Sequence, residues 1–424
     1  MENKKAVEPK KISVEQRFDI SSKYMYRLLV MLVWIRVTLW PYVEVVTHGF
    51  GFDSLTGFVY MLIFLMLMFF AMPYIITKIR AGDLLFILAC FAVILLTIVA
   101  IPEHREYIRV ENFSNILASV NRNNSIVLCM LVYVVGVSYS HDLCKRDIYR
   151  CSLVSVGVNF LYVAYSLLLG RDLTGYSMSA AYNILPCAMY LIYWAYREGK
   201  FRNWLPALVG VFLVLAYGTR GPILAIIIFF VLMMFLYKFK NVVLKAMGIL
   251  GIVVVSFFFT FSGVTANFVL LLQNMFKKIG VSTRIFDFWA EGVLTSDRGR
   301  EAIANKVWEA ILKKPFTGYG YFGDRNVLNG GFAHNLFLEV WCEFGLALGT
   351  ILLGLLFWVV IRALIRTRGT DAFGFLLLLA CMVFTELMFS GSYAVEPNFF
   401  LMIGVSLSLI RTSIKERELE LKNG

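Results

Sequence analysis

The sequence predicts an all-α integral membrane protein of about twelve transmembrane helices with one large extracytoplasmic loop that carries short helices, and three observations lead there. Of 424 residues, 59% are hydrophobic and only 16% charged, where a soluble domain carries roughly 25% charged residues. Mean hydropathy is +0.74. The few charges are bunched, which leaves apolar runs near the roughly 20 residues that a helix needs to cross hydrocarbon. Lys and Arg, finally, are shared unequally between alternate connecting segments.

In order along the chain, the first 24 residues are polar and basic and are expected to form a cytoplasmic tail with no signal peptide. Apolar runs follow at 25–43, 56–77, 84–101, 125–140, 151–169, 181–196, 205–218, 222–237 and 246–262, then at 336–361, 372–391 and 398–410. With the N-terminus inside, the inside segments hold 24 of the 40 Lys and Arg and the short outside loops hold 5. That asymmetry puts both termini in the cytoplasm and the segment 263–334 outside. The chain thus divides into an N-terminal tail (1–24), nine helices (25–262), an extracytoplasmic catalytic loop (263–334), three helices (335–410) and a cytoplasmic tail (411–424). The formal charge of +12 is mostly this positive-inside signal plus contact with lipid headgroups, and it calls for no nucleic acid.

Several chemistries are disfavoured. The seven cysteines lie in or beside apolar runs without paired spacing, as buried free thiols do. None of the four histidines pairs with another at ligand spacing, so no protein-built zinc site is expected, and no cofactor. No internal repeat or inverted pair of broken helices marks a carrier. Charges inside the spans are few: Arg27, Arg36 and Glu386.

The loop of about seventy residues between the ninth and tenth spans holds the chemistry. Its opening stretch, TANFVLLLQNMFKK, is too short to span and suits the membrane surface. From Arg300 to Lys314 the residues Ile303, Val307, Trp308 and Ile311 recur at helical spacing until Pro315 stops the helix. The next stretch, FTGYGYFGDRNVLNGGFAHN, is Gly- and Asn-rich and reads as a loop. In the helix that follows, Asn335, Glu339 and Glu343 are successive i+4 neighbours on one side. Each acid has a plain reading as a buried partner of a loop arginine, and His334 one as an interfacial residue with its hydrogen bond satisfied. Arg220, in TRGP with Pro222 well placed for the first position of a helix, runs against the positive-inside tendency. Arg284, Arg298 and Arg300 add cations on the same side, opposite possible partners Asp287, Glu291, Asp297 and Glu301. Guanidinium forks match phosphate oxygens in a bidentate way that ammonium groups do not.

Arg220 in TRGP, Arg300 heading a helix that ends KKPFTGYG, and GGFAHNLFLEVWCEFG form an ordered set. The set resembles the O-antigen polymerase and ligase superfamily, the Wzy-type polysaccharide polymerases and O-antigen ligases. Thr219 stands where Ser is usual. Ala304 stands where an aromatic is often found, with Trp308 one turn on, and Arg300 suits the family spacing to Pro315 better than Arg298. The resemblance implies a metal-independent glycosyltransferase of the bacterial cytoplasmic membrane. Its donor and acceptor are glycans on undecaprenyl pyrophosphate, its surroundings the lipid bilayer, and a chain-length regulator is a further expected partner. Arg220, Arg300, Arg298 and Arg284 would bind the pyrophosphate. His334 would be the general base, with Glu339 in reserve, and Asn335, Tyr319 and Tyr321 would contact substrate, the exposed aromatics Tyr319, Tyr321, Phe322 and Phe332 stacking on sugar faces. The first expectation is a polymerase. The alternatives are an O-antigen ligase that transfers to lipid A core, and, of other classes, a lipid-linked glycan flippase or a membrane scaffold.

Overall fold

A computed structural model describes residues 14–49, 53–101, 126–168, 178–237, 262–280, 283 and 299–423. Fourteen α-helices and no strand occur among the described residues. They are α1 (Val14–Gly49), α2 (Asp53–Ile76), α3 (Ala81–Ala100), α4 (Ile126–Val137) and α5 (His141–Leu168). Then come α6 (Met178–Glu198), α7 (Trp204–Ala216), α8 (Arg220–Leu236), α9 (Ser262–Ile279) and α10 (Arg300–Lys313). The last are α11 (Gly323–Val327), α12 (Leu336–Thr367), α13 (Asp371–Phe389) and α14 (Pro397–Asn423). Eleven of the twelve expected apolar runs fall on helices, and the run 246–262 lies almost wholly outside the described residues. Six helices, α2, α3, α5, α12, α13 and α14, are long and apolar enough to cross a membrane, while α4, α7 and α8 are apolar but shorter. The chain is a helical, multi-pass membrane protein.

Several helices run past their expected ends, α1 over Val14–Gly49 rather than 25–43 among them, and at two of these boundaries polar residues find partners inside helices. The stretch 141–150, expected as a connecting segment, forms the first turns of α5. There Asp147 receives two hydrogen bonds from Arg27, at 2.6 and 2.9 Å, and His141 lies between the hydroxyls of Tyr139 and Tyr193. The last helix does not stop at 410 but runs on to Asn423, with Arg411 paired bidentately to Asp83 of α3 at 2.5 and 2.7 Å.

Membrane helices gain little from the hydrophobic effect against one another and pack where small residues let backbones approach. Here α4 and α14 meet through Gly136 and Gly404: a Cβ on Gly136 would lie 2.9 Å from the Leu401 carbonyl oxygen. Aromatic rings fill the interior around α6 and α13, where Tyr190, Tyr193 and Phe375 are buried. The ion pairs Arg27–Asp147, Arg411–Asp83 and Arg197–Asp371 all lie at one end of the bundle. The opposite end gathers the starts of α6, α8, α12 and α14 and the end of α13, and the candidate site is there.

Candidate functional site

The site is built on a break in α12. Asn335 caps this helix, its side-chain oxygen accepting from the backbone N–H groups of Phe337 and Leu338 at 3.0 and 3.2 Å. Gly345, at φ 75° and ψ 169°, then divides α12 into 336–344 and 346–367. Such a backbone is open essentially only to glycine. The turn 315–320 presses into the break: Leu346 N donates to the Pro315 carbonyl at 2.7 Å, Tyr319 N to the Cys342 carbonyl at 2.8 Å and Gly320 N to the Glu343 carbonyl at 2.9 Å.

Glu339 and Glu343, one turn apart on the short upper helix, hold the rest of the loop. Arg325 in α11 is buried, and its Nη1 donates to Asp324 at 2.7 Å and to Glu339 at 2.8 Å. Its Nη2 donates to the Ser392 hydroxyl at 2.5 Å. Glu339 also accepts from Ser392 and from Tyr393 N, the latter at 3.2 Å. Glu343 accepts from Phe322 N at 2.9 Å and from the Tyr393 phenol. Burial alone would lower the Arg325 pKa, but the carboxylates of Asp324, Glu339 and Glu343 outweigh it and raise it, so the guanidinium stays charged. Burial, then Glu343, likewise raises the Tyr393 phenol, which therefore serves as donor. Asp324, Glu339 and Glu343 bring carboxylate oxygens within 4.8 Å of one another, a spacing that suits a metal ion. Two of those three carboxylates already accept from Nη1 of Arg325, and the guanidinium supplies the positive charge there.

This clamp positions His334. Asp324 accepts from Ala333 N at 2.9 Å, and Arg325 lies 4.4 Å from the Phe322 ring centre and 5.6 Å from that of Phe332. Phe332 in turn packs on the His334 ring at 4.0 Å between centroids. The backbone of His334 is left-handed (φ 52°), a conformation that costs a non-glycine residue energy and is kept only where its surroundings enforce it. Its imidazole lies against the Ser390 carbonyl, and its Nδ1 is buried without a hydrogen-bond partner. Burial, then the Arg300 charge, lowers the His334 pKa below its ordinary 6.5, with the Ser390 carbonyl opposing.

The arginine corner reaches the same place through Ser390. The Ser390 hydroxyl lies 3.3 Å from the Tyr182 hydroxyl and 3.2 Å from the Met178 sulfur. Tyr182 packs on the start of α8 so closely that a Cβ on Gly221 would collide with its hydroxyl. Thr219 is the N-cap of α8, and its buried hydroxyl has no partner. Pro222 is the third residue of the helix rather than its first, and has no N–H to offer the cap. Tyr182, packed on the Thr219–Pro222 corner, and His334 thereby meet at Ser390, and Arg300 at the start of α10 is near enough for its charge to act on His334.

Of the other expected site residues, Arg284 and Arg298 lie outside the described residues. Asn335 spends its side-chain oxygen on capping, which makes it an organiser of α12. Tyr321 and Phe322 are not exposed as expected. They stack on each other in the core, with Tyr321 donating to the Ala394 carbonyl at 3.1 Å, so neither offers a face to a sugar. Tyr319 is half-buried, with the Lys314 ammonium 4.6 Å from its ring centre. Glu339 is wholly buried and both its oxygens are engaged, which is the paired-acid arrangement. Asp324, Arg325, Ser390, Ser392 and Tyr393 were not singled out in the sequence. The two acids at i+4 spacing on α12 were the available signal that a buried cation had to exist.

Residues 205–353 match the family model described as O-Antigen ligase. That segment runs from α7 into α12 and contains Arg220, Arg300, Arg325, His334, Glu339 and Glu343. No curated protein compared matches the chain. Enzymes of the matched family are membrane proteins that act on lipid-linked glycans. This matched segment, which carries the TRGP corner, the Arg-led helix and the His-Asn helix start, is consistent with the O-antigen polymerase and ligase superfamily.

Proposed function

We propose that this protein is a polysaccharide polymerase of the bacterial cytoplasmic membrane. It transfers a glycan chain from undecaprenyl pyrophosphate to a sugar hydroxyl of a second lipid-linked repeat unit at the outer leaflet. The observation that carries the reading is that Tyr182, packed on the Thr219–Pro222 corner, and His334 meet at Ser390, with the Arg300 charge acting on His334. In the reaction the bond between the sugar anomeric carbon and the pyrophosphate oxygen breaks, and its electron pair leaves with the pyrophosphate. The acceptor oxygen bonds to that carbon, and its proton passes to His334. Arg220 and Arg300 stabilise the charge that gathers on the leaving group, as fixed cations in a low-dielectric site do. A lowered pKa leaves His334 neutral and able to accept a proton at neutral pH. No metal ion enters this scheme, since guanidinium groups supply the charge that pyrophosphate departure needs.

The ligase reaction is the second reading, favoured by the description of the matched family. Purified protein given the lipid-linked donor with either a second lipid-linked glycan or lipid A core decides between them. Longer lipid-linked chains are expected. Product only on lipid A core would assign the ligase, and no transfer to either would overturn both readings.

A further inference from the structure

The helix α10, which Arg300 heads, buries Val307, Ala310 and Ile311, with Ile303 half-buried, but leaves an apolar edge uncovered. Trp308 is 41% exposed, Leu312 57% and Phe316 82%. The level of this edge relative to the bilayer follows from the break in α12. Residues 346–361, the apolar part that ends at Arg362, run about 24 Å at roughly 1.5 Å per residue, and the long side chains of Arg362 and Arg366 reaching toward the headgroups bring this up to the hydrocarbon thickness of about 30 Å. Gly345 therefore stands at the hydrocarbon boundary. Pro315 is tied to that point by the 2.7 Å hydrogen bond from Leu346 N, so Phe316 beside it stands there too.

The edge is also continuous with the lipid-facing side of α12. Trp308 packs on Trp341 at 6.1 Å between centroids, and Trp341 Nε1 donates to the exposed Thr350 at 3.1 Å. Next to Thr350 begins the exposed stripe Ile351, Leu352 and Leu355. Exposed Lys313 and Lys314 flank Phe316 at the level where lipid phosphates lie. We propose that the edge Trp308–Leu312–Phe316 is a membrane-surface anchor, resting in the boundary layer between headgroups and hydrocarbon of the bilayer that the bundle spans. Trp favours that layer and basic residues flank such edges. The anchor fixes the depth of α10 and with it of Arg300, holding that guanidinium at headgroup height. It stands whatever glycan the site transfers.

The test is depth measurement on the full-length protein in phosphatidylcholine nanodiscs. An environment-sensitive fluorophore is attached to Phe316→Cys and Leu312→Cys, with the unsubstituted protein as labelling control. Lys306→Cys, exposed on the opposite side of α10, is the solvent reference. Labels at 312 and 316 are expected to emit blue-shifted light, to be quenched by shallow spin-labelled lipid and to be protected from iodide relative to 306. Iodide access equal to that of 306 would overturn the proposal. Because a label can itself alter insertion, Trp308→Phe provides a label-free reading. It should remove part of the tryptophan fluorescence that brominated lipid quenches, and an unchanged quenchable fraction would also overturn the anchor.

Discussion

His334 and Arg325 are both half-hidden or buried polar groups, but their surroundings ask different things of them. His334 is half-buried and near the Arg300 charge, and both, burial first, disfavour its protonation. Its proton should therefore bind only below the ordinary histidine pKa, and Arg300→Gln should move that pKa upward by removing the repulsion. Histidine-selective NMR of the wild type and this variant reads the shift directly; a downward shift would contradict the geometry. The transfer rate should fall on acidification through the same pKa, since a protonated imidazole cannot accept the acceptor's proton. Arg325 instead pays for its burial with partners. Replacing it by Met leaves Asp324 and Glu339 buried without a counter-charge, which typically costs about 3–5 kcal/mol. Thermal unfolding in detergent should show that loss, and adding Glu339→Gln to Arg325→Met should recover part of it. The sequence offered little warning of Arg325, because Asp-Arg inside a stretch rich in Gly and Asn reads as a solvated turn. His334, in contrast, was legible from its place in the HN pair before an apolar helix.

At the scale of the element, α12 is two helices that share one apolar pattern. The run LFLEVWCEFGLALGT keeps its helical periodicity through Gly345, and glycine is common in membrane helices. Periodicity therefore reads a single span. The break is decided by a tertiary partner, the 315–318 segment, whose approach needs the absence of a side chain. A Cβ on Gly345 would lie 2.6 Å from the Phe316 carbonyl oxygen, and the backbone region itself costs a non-glycine residue about 1–3 kcal/mol. Gly345→Ala is thus expected to destabilise the protein by at least that amount and to loosen α10 from α12. Hydrogen exchange across 315–320 checks it, and unchanged protection would contradict the packing. The helix Arg300–Lys313 itself was legible to within a residue, since its apolar spacing and the Pro315 stop are local signals. The uncovered edge of that helix was not, because exposure depends on what packs against it.

For the whole molecule, the apolar runs and the alternation of basic segments predicted a multi-pass bundle with a chemically active end, and the helices fall where those runs do. Ion pairs close the end where the sequence clusters its Lys and Arg. Their acidic partners Asp83, Asp147 and Asp371 were illegible as partners because the pairing joins helices far apart in the chain. The orientation that follows from the charge bias predicts that Lys306→Cys reacts with a membrane-impermeant thiol reagent added from outside intact cells. Reaction only from the cytoplasmic side would remove the proposed mechanism together with the topology. Arg220→Ala and Arg300→Ala should abolish polymer while protein levels in the membrane stay near normal. Arg→Lys at either place should rescue poorly, for a point charge does not reproduce the bidentate fork.

The central claim is that His334 takes the acceptor proton while arginines hold the donor, and His334→Gln separates the two most directly. Purified variant and wild type are compared for binding of the lipid-linked donor and for transfer to the acceptor. The account predicts donor binding close to wild type and transfer slower by a factor of about 10² to 10⁴, the usual loss of one general base. Transfer near the wild-type rate would contradict it and reduce His334 to a residue that only shapes the start of α12.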